Sequence, residues 1–505
     1  MIARSHSATL VGIDAAHVEI EVDLQSGLPG FVLVGLPDKA VEESRERVRA
    51  AIKNSELRFP STSKIICNLA PGDIRKEGPS LDLPIAAAIL AAVEEIRADD
   101  LEGILLVGEL GLDGKLRRID GALNTAIFAA QAGFKRLVLP AMNADEAAIV
   151  PEIEVFGIES LADLVRLLNV GDLEPVQIPK EASLEALSYE VDYDEVKGQK
   201  HAIRALEIVA AGGHNVLMVG PPGSGKTMLA RRIVSILPPL NLDESIEVTR
   251  IYSAAGQKGE VRGLLWQRPF RSPHHTSSYA AIVGGGKVPK PGEVSLSHNG
   301  VLFLDECAEF QRDVLEALRQ PLEDGMITVS RVEASLTFPA GCMLVAAMNP
   351  CPCGFKGYPE AQCIGSPASC GRYLNKLSGP LLDRIDLHIT VPRLKPSELT
   401  EMPVGEKSAV IRERVMRARE LQAARLGSGK INAKMSPKDI RDTIRLDDEA
   451  KEFMKQVAAK MNLSARVYDR VLKVGRTIAD LAEQPDLKKV HLAEAIQYRE
   501  RSEAL

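Results

Sequence analysis

Aromatic side chains are scarce. They make up 4% of the 505 residues, with a single tryptophan, so packing has to rest on Leu, Ile, Val and Ala. No apolar run reaches the roughly 20 residues that a membrane-spanning helix needs, so no membrane partner is expected. Met1-Ile-Ala-Arg-Ser-His-Ser7 has no long apolar segment behind it, so no secretory leader is expected and the cytoplasm is the expected compartment. Basic charge is not in excess. Lys and Arg number 62 against 69 Asp and Glu, a net charge of −7. That excludes a generally basic nucleic-acid coat but leaves room for a basic channel or patch. Cysteines are few, and in the cytoplasm they are not expected to form disulfides. Cys67, Cys307 and Cys342 stand singly in apolar runs and read as core packing, whereas the other four crowd into 351–370. What remains is ordinary globular composition, in a chain long enough for about two to four domains.

The most informative stretch is Gly220-Pro221-Pro222-Gly223-Ser224-Gly225-Lys226-Thr227, a G-x-x-x-x-G-K-T phosphate-binding loop. It follows the apolar run His214 to Val219, read as a buried strand, and precedes a helix-spaced run that stops at Pro238-Pro239. Glycines let backbone N–H groups close around phosphate oxygens, and the helix N-terminus adds partial positive charge. Lys226 would neutralise the β- and γ-phosphates of ATP, and the Thr227 hydroxyl would ligate Mg²⁺.

Two further strands complete that chemistry. Val301-Leu-Phe-Leu-Asp305-Glu306 places two acids at the C-terminal end of a buried parallel strand, where ligands sit in open α/β sheets. Asp305 would hold Mg²⁺ through water, and Glu306 would polarise the attacking water. Met343 to Met348 is another apolar strand, and Asn349 at its end could orient that water. Shortly after, Cys351, Cys353, Cys363 and Cys370 give C-x-C-x9-C-x6-C in a Gly- and Pro-rich loop. Four thiols suit tetrahedral structural Zn²⁺, although C-x-C is tighter than the usual spacing and free thiols are the alternative.

Residues 1–170 alternate strand-like and helix-like stretches, which predicts a mixed α/β domain. Lys76-Glu-Gly-Pro-Ser80, Gly108-Glu-Leu-Gly-Leu-Asp-Gly114 and Lys135-Arg-Leu-Val-Leu-Pro140 resemble the proteolytic domain of Lon-type proteases, related to an S5-like fold. Ser80 falls at that family's nucleophile. The position of its lysine partner is occupied by Leu123, which cannot take a proton, so the resemblance implies a domain without the catalytic dyad. Ser80 then reads as a helix cap or loop residue, and Arg45, Arg47, Arg49 and the basic positions up to Arg118 as DNA contacts or solvated charge. Residues 171–190 read as a linker, 191–395 as the ATPase core, and 396–505 as a helical lid with stops at Pro437 and Pro485.

The second half resembles the AAA+ class of ring ATPases. The phosphate loop, the acids at 305–306, Arg268-Pro-Phe-Arg271-Ser-Pro-His274-His275-Thr276, Asn349-Pro-Cys-Pro-Cys-Gly354 and Leu377-Ser-Gly-Pro-Leu-Leu-Asp-Arg-Ile-Asp-Leu-His388 together resemble the ComM/YifB family of magnesium-chelatase-like AAA+ ATPases. The likeness runs essentially end to end and includes the Lon-like front domain, taken to be missing from the chelatase subunits. It implies a P-loop core with helices on both faces of a parallel sheet. Val196 and Gly198 would lie against the adenine, Arg384 would complete a neighbour's site, and Arg466 would reach the γ-phosphate from the lid. It also implies a homohexameric ring moving single-stranded or branched DNA, a branch-migration helicase of natural transformation and recombination. A ring would project the loop of 268–290 into its pore, with Arg268, Arg271, His274, His275, Lys287 and Lys290 gripping the phosphate backbone. Arg331, on a hairpin predicted over 324–339, would add to them. The rival readings are a metal-chelatase motor and a protein-remodelling ATPase, for which Tyr279 and Ile282 offer an apolar grip. The paired histidines could also be read as metal ligands, but no acid or cysteine stands at ligand spacing beside them.

Overall fold

A computed structural model describes residues 2–177, 189–257, 259, 263–286, 289–330, 335–356, 363–394 and 405–499. The chain divides into two compact units, Met1–Glu185 with Leu242–Trp266, and Ala186–Asn241 with Gln267–Leu505.

The first unit is built on strands β1 (Ile2–Val11), β2 (Asp14–Gln25), β3 (Gly30–Val34), β4 (Lys64–Ala70), β5 (Ile104–Leu106), β8 (Arg136–Pro140) and β9 (Glu154–Ile158); a small hairpin, β6 (Glu109–Leu110) and β7 (Leu116–Arg117), lies outside the sheet. Their order is β3-β4-β2-β1-β5-β8-β9. The β1–β2 and β2–β4 pairs are antiparallel and the others parallel. Alternation along the strands feeds two cores. Leu106 and Val138 enter one with the fully buried helix Asp82–Ala92; Leu105 and Leu137 enter the other with helix Ala122–Gln131. Arg47 turns inward and forms a two-pronged ion pair with buried Asp82 (2.7 and 3.0 Å). Its donors are spent inside the fold, so it is neither the DNA contact nor the solvated charge that the sequence suggested.

The sequence reading kept 242–266 inside the 191–395 core, whereas this segment packs in the first unit. Ile246, Leu264 and Trp266 join the apolar cluster under helix Ala122–Gln131, and Ser253 accepts the Gly121 N–H at 3.0 Å through its carbonyl. An apolar face on helix Leu242–Ala254 finds its cover there.

The second unit is centred on β10 (Val216–Val219). Strands β11 (Phe270–Arg271), β14 (Val301–Leu304), β17 (Met343–Met348) and β18 (Leu387–Thr390) join it in one parallel sheet ordered β11-β14-β17-β10-β18. Two hairpins lie outside the sheet: β12 (Gly284–Gly285) with β13 (Lys290–Pro291), and β15 (Met326–Ser330) with β16 (Ser335–Pro339). Strands of four residues, buried throughout, are what a sheet covered on both faces requires. The C-terminal helices Ser408–Leu426, Pro437–Thr443, Asp448–Lys460, Ala465–Leu481 and Lys489–Gln497 share that core. No helix among the described residues is long and apolar enough to cross a membrane.

A polar seam ties the last helices to the sheet. Buried Asp386 accepts the Asn215 N–H (3.0 Å), faces His214 Nδ1 at 3.4 Å and pairs with Arg470. His214 Nε2 meets Thr477 Oγ1 at 2.8 Å. Burial alone would raise the Asp386 carboxyl, but the His214 hydrogen bond and the Arg470 charge outweigh it and hold it well below the usual carboxylate range. A carboxyl lowered in the fold contributes stability above its unfolded value, and that contribution is lost as pH falls. Asp386→Ala is therefore expected to cost the second unit about 3–5 kcal/mol at neutral pH. Urea unfolding should show the gap from the parent narrowing once pH drops below about 4.

Candidate nucleotide site

The phosphate loop leaves the C-terminal end of β10, between β17 and β18. Gly223 and Gly225 adopt left-handed φ of 73° and 89°, a region that side chains with a Cβ disfavour. Gly220 sits so close to the neighbouring chain that a Cβ would stand 2.2 Å from the Val391 carbonyl oxygen. Lys226 opens helix Lys226–Ile236, and its ammonium donates to the Gly220 and Pro221 carbonyls (2.7 and 3.0 Å) and to Asn349 Oδ1 (3.3 Å). Burial pulls its pKa below the ordinary lysine value, against the opposing charges of Asp305 and Glu306. The Thr227 hydroxyl donates to Asp305 Oδ2 at 2.7 Å. A hydroxyl and a carboxylate side by side at the mouth of a phosphate loop are the oxygen donors that a hard divalent cation takes. Glu306 follows in a left-handed turn (φ 49°) that leaves its carboxylate half exposed.

Parallel register brings these groups together. Val216 stands opposite Val345 on β17, and Val345 opposite Phe303 on β14. The strand ends at 219, 304 and 348 therefore open on one edge, and Ser224, Lys226, Thr227, Asp305, Glu306 and Asn349 share it. The 196–199 stretch joins them. Gly198 (φ 67°) and Gln199 (φ 52°) form a left-handed turn, and the Gln199 amide donates to the Pro392 carbonyl (2.7 Å) and reaches that of Ser224 (3.4 Å). Val196 itself is buried in the apolar core.

The two arginines lie elsewhere. Arg384 follows helix Gly379–Leu382, donates to the Pro380 carbonyl (2.8 Å) and pairs with Glu323. Its own carbonyl accepts from Asn215 Nδ2 and from Arg470 Nη1, both at 3.1 Å. Asn215 precedes β10 and Asp386 precedes β18, so this is the N-terminal edge of the sheet. Arg466, expected to reach the γ-phosphate from the lid, stands beside Arg384, with Nη2 4.0 Å from Glu323 Oε1. Both line a cavity of about 680 Å³ that also takes in Lys434, Arg470 and Lys473. A four-residue strand separates the two edges by about 13 Å, so neither guanidinium meets the phosphate loop of its own chain.

The basic loop also differs from expectation. Arg268 spends its guanidinium on the Pro238, Pro239 and Asn299 carbonyls (2.7, 3.3 and 2.7 Å), and Arg271 is locked to Glu293 by two 2.6 Å bonds. Half-buried and engaged within the chain, these two are fold-holding residues rather than exposed grips on a polymer. His274 packs against His275 with ring centroids 4.2 Å apart and planes tilted by 32°, and His275 Nδ1 lies 3.5 Å from Glu306 Oε2. That contact was missed from sequence, yet β11 and β14 are parallel neighbours, so the chain leaving β11 arrives beside the acids that end β14. Lys290 lies exposed on β13; Lys287 and Arg331 fall outside the described residues.

The four cysteines converge. Cys351 Sγ is 3.2 Å from Cys353 Sγ and 3.7 Å from Cys363 Sγ, Cys353 is 3.5 Å from Cys363, and Cys363 is 3.8 Å from Cys370. Backbone N–H groups point at the sulfurs. Phe355 donates to Cys353 and, with the Cys351 thiol, pulls it down to about 6; Lys356 N lies 3.2 Å from Cys351 Sγ. In the first unit, Ser80 lies in the turn Pro79–Leu81, and Leu123 is fully buried, its N–H bonded to Glu146 Oε1 at 3.2 Å.

Comparison with known proteins covers nearly the whole chain. Family models described as magnesium chelatase subunit ChlI, subunit ChlI of Mg-chelatase, and the C-terminal part of magnesium chelatase subunit ChlI match residues 192–399, 20–143 and 405–499. Competence protein ComM of Haemophilus influenzae is 46% identical over 503 residues, covering 99% of this chain and 97% of that protein. The uncharacterized protein YifB of Escherichia coli is 44% identical over 495 residues, 98% of this chain and 96% of its own. Lon protease 2 of Thermus thermophilus is 27% identical over 180 residues, 34% of this chain and 22% of its own. The match over 20–143, within the front domain, also carries a chelatase description. Lys226→Ala is expected to weaken binding of a fluorescent ATP analogue by ~10-fold or more, about the loss of one charge-assisted contact. Glu306→Gln is expected to keep that binding and lower turnover by ~100-fold or more, the range of a lost general base.

Proposed function

The chain belongs to the ComM/YifB family of magnesium-chelatase-like AAA+ ATPases, and on that premise we propose that it is an Mg²⁺- and ATP-dependent ring motor acting on DNA. The observation that carries the proposal is that the phosphate loop and the Arg384–Arg466 pair lie at opposite edges of the same sheet. Phosphate-loop N–H groups and Lys226 would bind the triphosphate, Glu306 would take the proton of the attacking water, and Asn349 would orient that water. Thr227 and Asp305 would hold Mg²⁺, which when bound neutralises phosphate charge. Arg384 and Arg466, remote from this loop, would serve the loop of the adjacent copy, where a guanidinium spreads charge over the transferring phosphoryl oxygens. Such sharing closes naturally into a ring, most often of about six copies, since a heterologous interface repeats until rotation closes it. The printed name of ComM ties that protein to competence, and this supports DNA taken up in transformation as the track, with branch migration as the activity.

Zinc is proposed for the cysteine cluster. Zn–S bonds of about 2.3 Å in a tetrahedron put sulfurs about 3.8 Å apart. The observed separations of 3.2–3.8 Å approach this: Cys351, Cys363 and Cys370 all lie within 4.8 Å of one another, and Cys353 lies close to Cys351 and Cys363. Four thiolates leave no open position, so the ion is structural.

The chelatase descriptions favour a second reading, an ATP-driven metal-insertion motor. ATPase rates against branched DNA, single-stranded DNA and unfolded protein test the proposal. Stimulation by DNA is expected; stimulation by protein alone, or by none of the three, overturns the DNA reading. Mixed Arg384→Ala and Lys226→Ala subunits should recover part of the rate, and no recovery at any ratio excludes the shared site. Metal analysis should find about one zinc per chain.

A further inference from the structure

The cysteine cluster is wired into the nucleotide site at three points. The first is the phosphate loop. Gly354, just past Cys353, lies so close to Pro222 that a Cβ there would stand 2.4 Å from Pro222 Cδ, and its φ is 85°. The second is the end of β17, where Cys351 follows Asn349 by two residues in the same turn. The third is helix Pro367–Leu374, which carries Cys370 and Tyr373 three residues apart and therefore on one face. Both are buried, and the Tyr373 hydroxyl faces the backbone N–H of Asn349. The chain then continues to Lys376, which pairs with Glu309 at 3.2 Å, beyond Glu306 on the β14 side. Fixing four sulfurs on one ion thus fixes Pro222 from one side and Asn349 from the other.

We propose that the cysteine-held zinc is a positioning element of the ATPase: it sets the place of the phosphate loop and of Asn349, so that ATP turnover depends on it. This rests on the nucleotide reading given above. The argument is geometric. The described residues of 351–356 and 363–370 bury few apolar side chains, so a loop this rich in Gly and Pro takes its rigidity from a crosslink rather than from a core. Without the ion, the turn holding Gly354 and the helix holding Tyr373 are free to part. Asn349 then loses the hydroxyl that its N–H faces, and Pro222 loses its backing. Outer partners of this kind typically carry ~10- to 100-fold in activity. The prediction is a split: Tyr373 acts on the turnover step through Asn349, whereas Gly354 acts on nucleotide affinity through Pro222.

The test uses the full chain, purified without chelator. Zinc is counted, then stripped with a chelator under native conditions, and helical content and thermal unfolding are followed by circular dichroism. Stripping should lower kcat for ATP by ~10-fold or more, and Zn²⁺, but not extra Mg²⁺, should restore it. Tyr373→Phe should keep zinc and ATP-analogue affinity while kcat falls. Gly354→Ala should keep zinc while affinity falls. Unchanged kcat in stripped, folded protein overturns the inference, as does protein that holds no zinc. If stripping unfolds the chain, Tyr373→Phe decides: unchanged kcat overturns the inference, and a kcat loss with zinc and affinity retained supports it. Lys226→Ala distinguishes the underlying reading, because undiminished ATP binding in that variant removes the nucleotide site itself.

Discussion

Everything in the second unit hangs on the parallel ladders that flank β10. Val216 faces Val345 on one side and Leu387 on the other, and the same offset carries through to Met348 and Thr390. A one-residue slip would turn each strand's side chains to the opposite face. It would also carry Asn349 out of reach of Lys226, which now lies 3.3 Å from it. Backbone hydrogen bonds, each of modest net value, thereby decide where a lysine, a threonine, two acids and an amide meet. The apolar content of the strands makes the register the stable one, and the chemistry follows at their ends.

The same ladders explain why two positively charged groups are stored at the far edge. Arg384 is nearly buried and leans on Glu323, and the exposed side chain of Arg466 extends toward the same carboxylate. One acid thus holds two guanidinium groups that would otherwise repel. The Asp386 seam sits directly behind them, since Arg470 bonds both Asp386 and the Arg384 carbonyl. Lid helix, sheet edge and Arg384 are consequently one bonded assembly, and a shift in the helix beginning at Ala465 moves that arginine with it.

The sequence was legible where one residue type admits one chemistry. The phosphate loop, the acids ending β14 and the amide ending β17 could be placed together on one sheet edge, the four thiols could be grouped, and the alternating front half announced a mixed α/β unit. It was illegible where a residue's role depends on what lies opposite it. Arg268 and Arg271 look like phosphate-gripping cations until their carbonyl and carboxylate partners are seen. Tyr373 carries no pattern at all, because what its hydroxyl faces is backbone. Arg466 was tied by resemblance to a γ-phosphate, and only sheet topology shows which edge it occupies. The packing of 242–266 escaped for a similar reason, since helical periodicity gives an apolar face but not what covers it.

That last segment has a consequence for how the protein can be cut apart. The polypeptide crosses between its two units at 185–186, at 241–242 and again at 266–267, so the front half is not a bead on a single string. Severing the linker would leave both halves joined by two strands of chain. A fragment beginning after residue 190 would keep the helix Leu242–Ala254 while discarding the cluster that shelters Ile246, Leu264 and Trp266. Its greasy surface would then face water, and sticking to other molecules would be the fate of a piece that sequence boundaries alone would mark as free-standing.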